Sequence, residues 1–493
     1  MRAHASVRSQ GREEELGKSM RIRVVLLATL LATLGLATGG RTEQATDDAQ
    51  RCARLFPRPA ALEPQIRFWR SIFTQYSTHQ VVLHDAVDLD KIYEVLDFRP
   101  YLREGMSEVE VERLRRIETD VELERVRARL LRLNDLASYP DLLTTEEHRI
   151  YDLFRGDPAA DRFLVAADPK RLRSQRGLRE RFDEGLRISR RYLPEMERIF
   201  EEEGLPVELA RLPLIESSFN LRAYSKVGAA GIWQFMPVTG RRFMRVDAVV
   251  DERRDPISST RAAAEFLGRL YAALGSWPLA ITAYNHGPNG IARAVDEIGT
   301  ADIADIARKY RSNTFGFASR NFYAEFLAAL DVERDYRTHF GELPREMAPR
   351  CREHRLDRSV HFAAAARLAR IDADELADLN PALSKLVLQG RRPIPAGYRL
   401  RLPESGAGGF GTRLAGHRAE PEVVRAAART VVRRASRRPT FVSYRVARGQ
   451  TLAQIAKRHR VSVASLRKLN RLQKAADLRA GQTLKIPVAG NAA

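Results

Sequence analysis

The chain has 493 residues and a formal net charge of +20, from 83 Lys and Arg against 63 Asp and Glu. That length argues for about two to four domains, and the charge favours acidic partners without choosing among nucleic acid, an anionic membrane surface and an anionic cell-wall polymer. Two cysteines, Cys52 and Cys351, exclude a disulfide framework but leave a single pairing open.

Residues 1–40 read as a signal region. Met20-Arg-Ile-Arg precedes the apolar run Val24–Ala37, and Thr38-Gly39-Gly40 follows it. A basic start, a short apolar core and small residues predict export to the periplasm. The run is short for a membrane-spanning helix, which needs about 20 residues. An uncleaved segment leaves inner-membrane association open. Cys52 follows Asp-Ala-Gln-Arg, so the pattern for a lipid anchor is lacking.

Residues 62–190 are helical and charged in pattern, and are expected to form an N-terminal scaffold domain. Ile66, Trp69, Phe73 and Tyr76 recur on one helical face. Val81–Leu83 and Ile92–Leu96 flank Asp85–Asp90 as a β-hairpin would. Glu108–Leu133 is a long amphipathic helix candidate.

The stretch that organises the chain is Leu205–Pro237. Leu205, Leu209, Leu212 and Glu216 fall on one face of a 3.6-period helix, so a carboxylate ends an apolar stripe. Burial there raises a Glu pKa and keeps a proton available for general acid catalysis. The plainer alternative is a frayed helix end facing water. Ser217 and Ser218 are suited to ending the helix, and Gly228 and Gly231 flank a tight connection to a second helix, expected to start near Gly231 and to carry Trp233, Gln234 and Met236.

Three motifs then stand in order: Glu216-Ser-Ser-Phe-Asn, Gly231-Ile-Trp-Gln-Phe-Met-Pro and Ala283-Tyr-Asn-His-Gly-Pro. Together they resemble the signature motifs of soluble-type lytic transglycosylases, which share a lysozyme-like, mostly helical domain and cleave peptidoglycan. The resemblance implies a mainly α catalytic domain over 191–338. It makes Glu216 the acid/base and Tyr284 the residue that positions it. Ser225 matches the hydroxyl contacting the muramoyl sugar, Gln234 and Met236 match residues lining the saccharide groove, and Asn285 lies in the Tyr motif. The sequence departs from the pattern at His286, where a small residue is usual, and at Leu221, where Pro often stands.

Ordinary glycosidases need two carboxylates, and the motifs hold one. Asp247, Asp251 and Asp255 are second candidates by sequence proximity alone, with Asp255 also suited to capping a helix. The resemblance implies a route without the second: Glu216 protonates the β-1,4 oxygen between N-acetylmuramic acid and N-acetylglucosamine, and the sugar's own C6 hydroxyl attacks to give a 1,6-anhydromuramoyl end. No metal or other cofactor is expected. Histidines are scarce, and Cys351-Arg-Glu-His354 lacks a second ligand pair.

Two small β-α-α-β patterns follow. Residues 442–487, with Gly449-Gln-Thr-Leu, Leu469-Asn470 and Leu478–Pro487, resemble the LysM module, which binds N-acetylglucosamine-containing glycans. That resemblance places Gly449, Thr451, Leu452, Leu469 and Asn470 near the glycan groove, though most such positions also serve core and turns. A weaker copy spans 358–403 and lacks the opening Gly-x-Thr-Leu. Between them 404–440, rich in Gly, Ala and Arg, is expected to be a flexible linker.

The reading is therefore an exported lytic transglycosylase whose partner is the peptidoglycan glycan strand. A water-using muramidase on the same fold, or an inert wall-binding scaffold, are the alternatives. Nucleic-acid binding would fit the charge but has no recognition motif behind it.

Overall fold

The computed structural model describes residues 50–342 and 350–417, and beyond them 441–447, 449–459, 466, 470, 472 and 481–487. The expected signal region 1–40 lies outside the described residues, as do 418–440 and Leu469. The chain divides into two compact units, Met1–Phe410 and Gly411–Ala493. The fold is mainly α, as expected.

Helix α1, Glu63–Thr74, starts with Pro64 in its first turn and buries Ile66, Trp69 and Phe73, the stripe expected of it. The predicted hairpin is present: β1, Gln80–Asp85, pairs antiparallel with β2, Ile92–Asp97. The third strand, β3 (Leu172–Arg176), joins the other edge of β1, giving the order β2-β1-β3. Helix α2, Glu108–Leu136, opens with a capping box in which Ser107 and Glu110 satisfy each other's backbone amides. It buries Val126, Leu130 and Leu133 over this sheet, and Val81, Tyr93, Phe98, Phe154 and Phe163 complete a small separate core.

The main core is built differently from the expected split at residue 190. Helix α3, Arg179–Glu202, runs through that boundary and buries Phe182, Leu186, Leu193, Met196 and Phe200. Its apolar stripe shares one core with α1 and with the helices that follow. Those are α4 (Leu212–Ser217), α5 (Pro256–Leu274), α6 (Trp277–His286), α7 (Pro288–Ile298) and α8 (Phe317–Arg334). α1 packs along α8, with Tyr323 Oη donating 2.7 Å to Pro57 O. A periodic stripe tells that a helix is buried, not what it is buried against. The 62–190 segment is thus divided between a small separate core and the main core.

Residues 350–410 form a second small fold within the same unit. Strand β4, Cys351–Arg355, pairs antiparallel with β5, Arg399–Pro403, and α9 (Phe362–Ala369) and α10 (Ala373–Leu379) lie between them in sequence. The expected linker starts too early: Glu404–Ala407 and Phe410–Gly416 are helical, and the buried Phe410 ring stands edge-on to His354. Phe410 anchors a stretch whose Gly content otherwise reads as loose. In the other unit, β6 (Phe441–Arg445) pairs antiparallel with β7 (Thr483–Pro487), and α11 is Leu452–Arg458.

One device recurs in both small folds. Asn380 Nδ2 donates to Leu376 O and Arg401 O, and its Oδ1 accepts from Arg401 N. Asn470 does the same with Leu466 O, Lys485 O and Lys485 N. In each, one amide side chain ties the residue four positions before it to the last strand with three hydrogen bonds. Cys52 is half-buried and Cys351 exposed, and both are free.

Candidate active site

Glu216 is the penultimate residue of α4. Leu212, Pro213 and Leu214 are buried at its start, and Ser218 ends it in a left-handed conformation (φ 51°), with Phe219 also left-handed (φ 52°). Two consecutive non-glycine residues in that region are strained and persist only where packing enforces them. The enforcement is visible. Phe219 is fully buried, and the Ser218 carbonyl lies so near Gly185 of α3 that a Cβ there would come within 2.7 Å of it. Ser217 Oγ donates 2.9 Å to Ile232 O, tying the helix end to the second motif.

Glu216 is half-buried beside a cleft of about 490 Å3 lined also by Leu178, Arg181, Glu184, Ile188 and Asn220. Burial alone pushes its carboxyl up to about 8, so it holds a proton at neutral pH. No hydrogen bond or ion pair of its carboxylate stands against that among the described residues.

Tyr284 lies near the end of α6, half-buried, and its hydroxyl donates 2.8 Å to Trp233 O. Burial, and after it the charge of Glu216, hold the phenol well above its ordinary value. Trp233 is fully buried and donates from Nε1 to Thr260 Oγ1 at 2.9 Å, so α5, the second motif and Tyr284 form one hydrogen-bonded series.

The other sequence-predicted residues line the connection. In place of the helix expected from Gly231, residues 224–235 fold on themselves through bridges of Tyr224 with Ala230 and Ala230 with Phe235, because Gly231 and Gln234 both take a positive φ that a helix does not allow. At the bend, Ser225 N donates to Ala229 O (2.8 Å) and Ser225 Oγ accepts from Ala229 N (2.9 Å). Gln234 is left-handed (φ 48°), with Nε2 donating to Gly231 O, and Met236 is 42% exposed at the following turn. Gly231 has no substitute: its φ is +75°, and a Cβ would fall 1.7 Å from Arg253 O. Asn285 is exposed and accepts 2.8 Å from Ser319 Oγ at the start of α8, with the His286 ring edge-on to Phe315 nearby.

Of the three aspartates considered as a second carboxylate, each is engaged elsewhere. Asp247 accepts from Val249 N and Val250 N, Asp251 holds Arg253 in a two-bond fork, and Asp255 caps α5. The sequence reading missed the carboxylate that does belong here. Glu325, half-buried on α8, packs over α4, and burial followed by the charge of Glu216 raises its carboxyl too. A Glu between Phe322, Tyr323, Ala324 and Phe326, on a helix otherwise buried, was the signal available in the sequence.

In the C-terminal unit the positions singled out for glycan binding carry fold roles. Gly449 supplies a positive φ of 80° at the turn, and Thr451 caps α11 by accepting from Gln454 N while Gln454 Oε1 accepts from Thr451 N. Leu452 is 2% exposed in the module core, and Asn470 is the staple described above.

With this geometry in view, the comparisons with known proteins are specific. Residues 198–307 match the Transglycosylase SLT domain, 444–487 the LysM domain, and 350–419 the LysM-like domain of lytic transglycosylase MltD. Membrane-bound lytic murein transglycosylase D of Escherichia coli K12 is 29% identical over 300 residues, 59% of this chain and 62% of that protein. The chain thus spans about three fifths of that relative's length. A putative tributyltin chloride resistance protein of Alteromonas sp. M-1 is 43% identical over 100 residues, 20% of this chain and 48% of that one. Among solved structures, the 70 kDa soluble lytic transglycosylase SLT70 of E. coli matches at 22% identity and a TM-score of 0.25, over 32% of this chain and 26% of that one. The matches run in the order of a transglycosylase SLT domain followed by two LysM-type modules.

Proposed function

We propose that this protein is a peptidoglycan lytic transglycosylase, cleaving the β-1,4 bond between N-acetylmuramic acid and N-acetylglucosamine without water. The observation that carries the reading is Glu216: a carboxyl pushed up to about 8 by burial, at the rim of a cleft, in an SLT domain. Protonated, it delivers its proton to the glycosidic oxygen as the C1–O bond breaks, with the acetamido group assisting at C1. Deprotonated, it takes the proton of the C6 hydroxyl, whose oxygen closes on C1 to give the 1,6-anhydro ring. One group serves as acid and then base, and the nucleophile gains from being in the same molecule.

Tyr284 is a positioning residue in this scheme. Its only proton is committed to Trp233 O, which leaves its oxygen as an acceptor toward the protonated Glu216. Ser225, Gln234, Met236 and Asn285 are assigned to the saccharide groove, and no other cofactor is invoked.

A hydrolytic muramidase is the second reading, and Glu325 is what favours it, since a second carboxylate beside the acid is what activation of water requires. Against it, Glu325 is itself raised and so poorly suited to act as a base at neutral pH. An inert wall-binding scaffold is disfavoured by the intact Glu216, Tyr284 and Ser225.

The N-terminal segment, the LysM match and the membrane-bound name of the E. coli relative support an exported, envelope-facing protein that binds glycan strands through its C-terminal module. Among the described residues, no helix is long and apolar enough to cross a membrane. The test is mass spectrometry of muropeptides released from purified sacculi by wild type and Glu216→Gln. Anhydromuramoyl ends from the wild type alone are expected. Reducing ends would move the assignment to the muramidase, and equal release by both proteins would remove Glu216 from the chemistry.

A further inference from the structure

The bonds between the first LysM-type module and the catalytic core lead into the groove. On the module side, Ala382 O accepts from Asp251 N at 2.8 Å, Ser384 N donates to Val249 O at 3.0 Å, and Leu383 bridges Val250 as an antiparallel pair. Arg254 Nη1 reaches Leu383 O at 3.2 Å. The Arg401 guanidinium grips Asp255 with two bonds, Nη2 to Oδ1 at 3.0 Å and Nη1 to Oδ2, with Glu353 flanking it at 3.4 Å. Module residues 382–384 and 401 are thereby committed to the segment 249–255.

That segment is what the loop 223–235 rests on. Asp255, 4% exposed, accepts from Ile257 N and Ser258 N and so caps α5, whose Thr260 holds Trp233. Arg253, 3% exposed, is oriented by Asp251 and donates from Nη1 to Gly228 O (2.8 Å) and Phe235 O (2.9 Å). These two carbonyls lie at the two sides of the bend that carries Ser225 and Gln234. The Arg253 carbonyl also lies under Gly231, in the space a Cβ would need. A buried Arg whose Nη1 has both its acceptors on one loop fixes that loop, because leaving either carbonyl or the guanidinium unpaired is costly.

We propose that residues 350–410 act as an intramolecular brace, docked on 249–255, and that Arg401 is a positioning residue that sets the groove loop 223–235 through Asp255 and Arg253. The module's sheet edge and its Arg401 fork serve the catalytic core rather than a sugar. The link to turnover rests on the reading of this groove as the glycan-cleaving site, while the structural link does not.

Hydrogen exchange of the full chain, wild type against Arg401→Ala, separates the two. Amides of 223–237 should exchange about tenfold faster in the variant, with those of α1 in the same core unchanged. Arg401→Lys, which keeps the charge but loses the fork, should fall between them and covers the case in which Arg401→Ala does not fold. On soluble glycan strands kcat should drop about tenfold with less change in KM, inside the hundredfold that a 1 Å misplacement costs. Retention on sacculi should be unchanged. Unaltered exchange at 223–237 in a folded Arg401→Ala or Arg401→Lys protein overturns the brace. So does loss of sacculus retention without altered exchange, which would make the module a glycan binder. If exchange changes but neither protein cleaves glycan, the brace stands and the catalytic assignment fails.

Discussion

At the scale of one residue, the account depends on a carboxyl that stays protonated because it is buried. With its folded value raised to about 8, Glu216 supplies acid below that pH and loses its proton above it, so kcat/KM should fall as pH rises through about 8. The same shift fixes a stability term. A raised folded value favours the native state below the unfolded value of about 4.5, and that contribution is lost as pH rises through about 8. Glu216→Gln should therefore remove activity by about a hundred- to ten-thousandfold. It should also stabilise the fold at alkaline pH by removing the buried charge, by about 0.5–2 kcal/mol, the range common for a single stabilising substitution. Melting curves should show that advantage at about pH 9 and its disappearance near pH 4. A pH-independent difference would contradict burial as the cause. Glu216→Gln removes the like charge that, after burial, raises Glu325, so the Glu325 carboxyl should titrate at lower pH in that variant, as read by carboxyl NMR. An unmoved titration would separate the two carboxylates.

At the scale of the element, the catalytic group is held by turns rather than by long helices. Gly231→Ala adds a methyl where Arg253 O already stands, at a φ of +75°, and should destabilise the protein by about 3 kcal/mol or more. An unchanged melting temperature would mean the loop can move aside. Tyr284→Phe removes one hydrogen bond and leaves Trp233 O unpaired, at a cost of about 1–3 kcal/mol, with a fall in kcat and little change in KM. This is also the scale at which the sequence was most and least readable. Glu216 at the end of an apolar stripe, Trp233 in its motif and Asp255 as a cap are local patterns, and the structure places the first two together at the site and gives Asp255 its cap. Glu325 was not readable, because it is set against Glu216 only by the packing of α8 on α4, across more than a hundred residues. The same limit hid α1 and α3 as parts of the main core. Thr451, Leu452 and Asn470 carry the fold roles that the sequence also allowed them: residues characteristic of a module can be characteristic because they fold it.

At the scale of the whole molecule, two modules of one architecture have diverged in what they touch. The Asn staple is shared, yet the residue that follows it into the last strand is Arg401 in one and Lys485 in the other, and Arg401 reaches Asp255. Removing residues 418–493 should weaken retention on sacculi, and more so at low salt where a chain of +20 net charge is drawn to an anionic polymer. Turnover of soluble glycan strands should be unaffected, because the groove and its bracing module lie in the other unit. Sedimentation with sacculi alongside a soluble assay reads both, and a parallel loss of turnover would count against two separable roles.

The central claim is that the attacking oxygen belongs to the sugar and not to water. Digestion of purified glycan strands in water enriched in oxygen-18, followed by mass spectrometry of the new muramoyl ends, asks this directly. The account predicts anhydro ends without label. Labelled reducing ends would contradict it and would make Glu325 the group that activates the water.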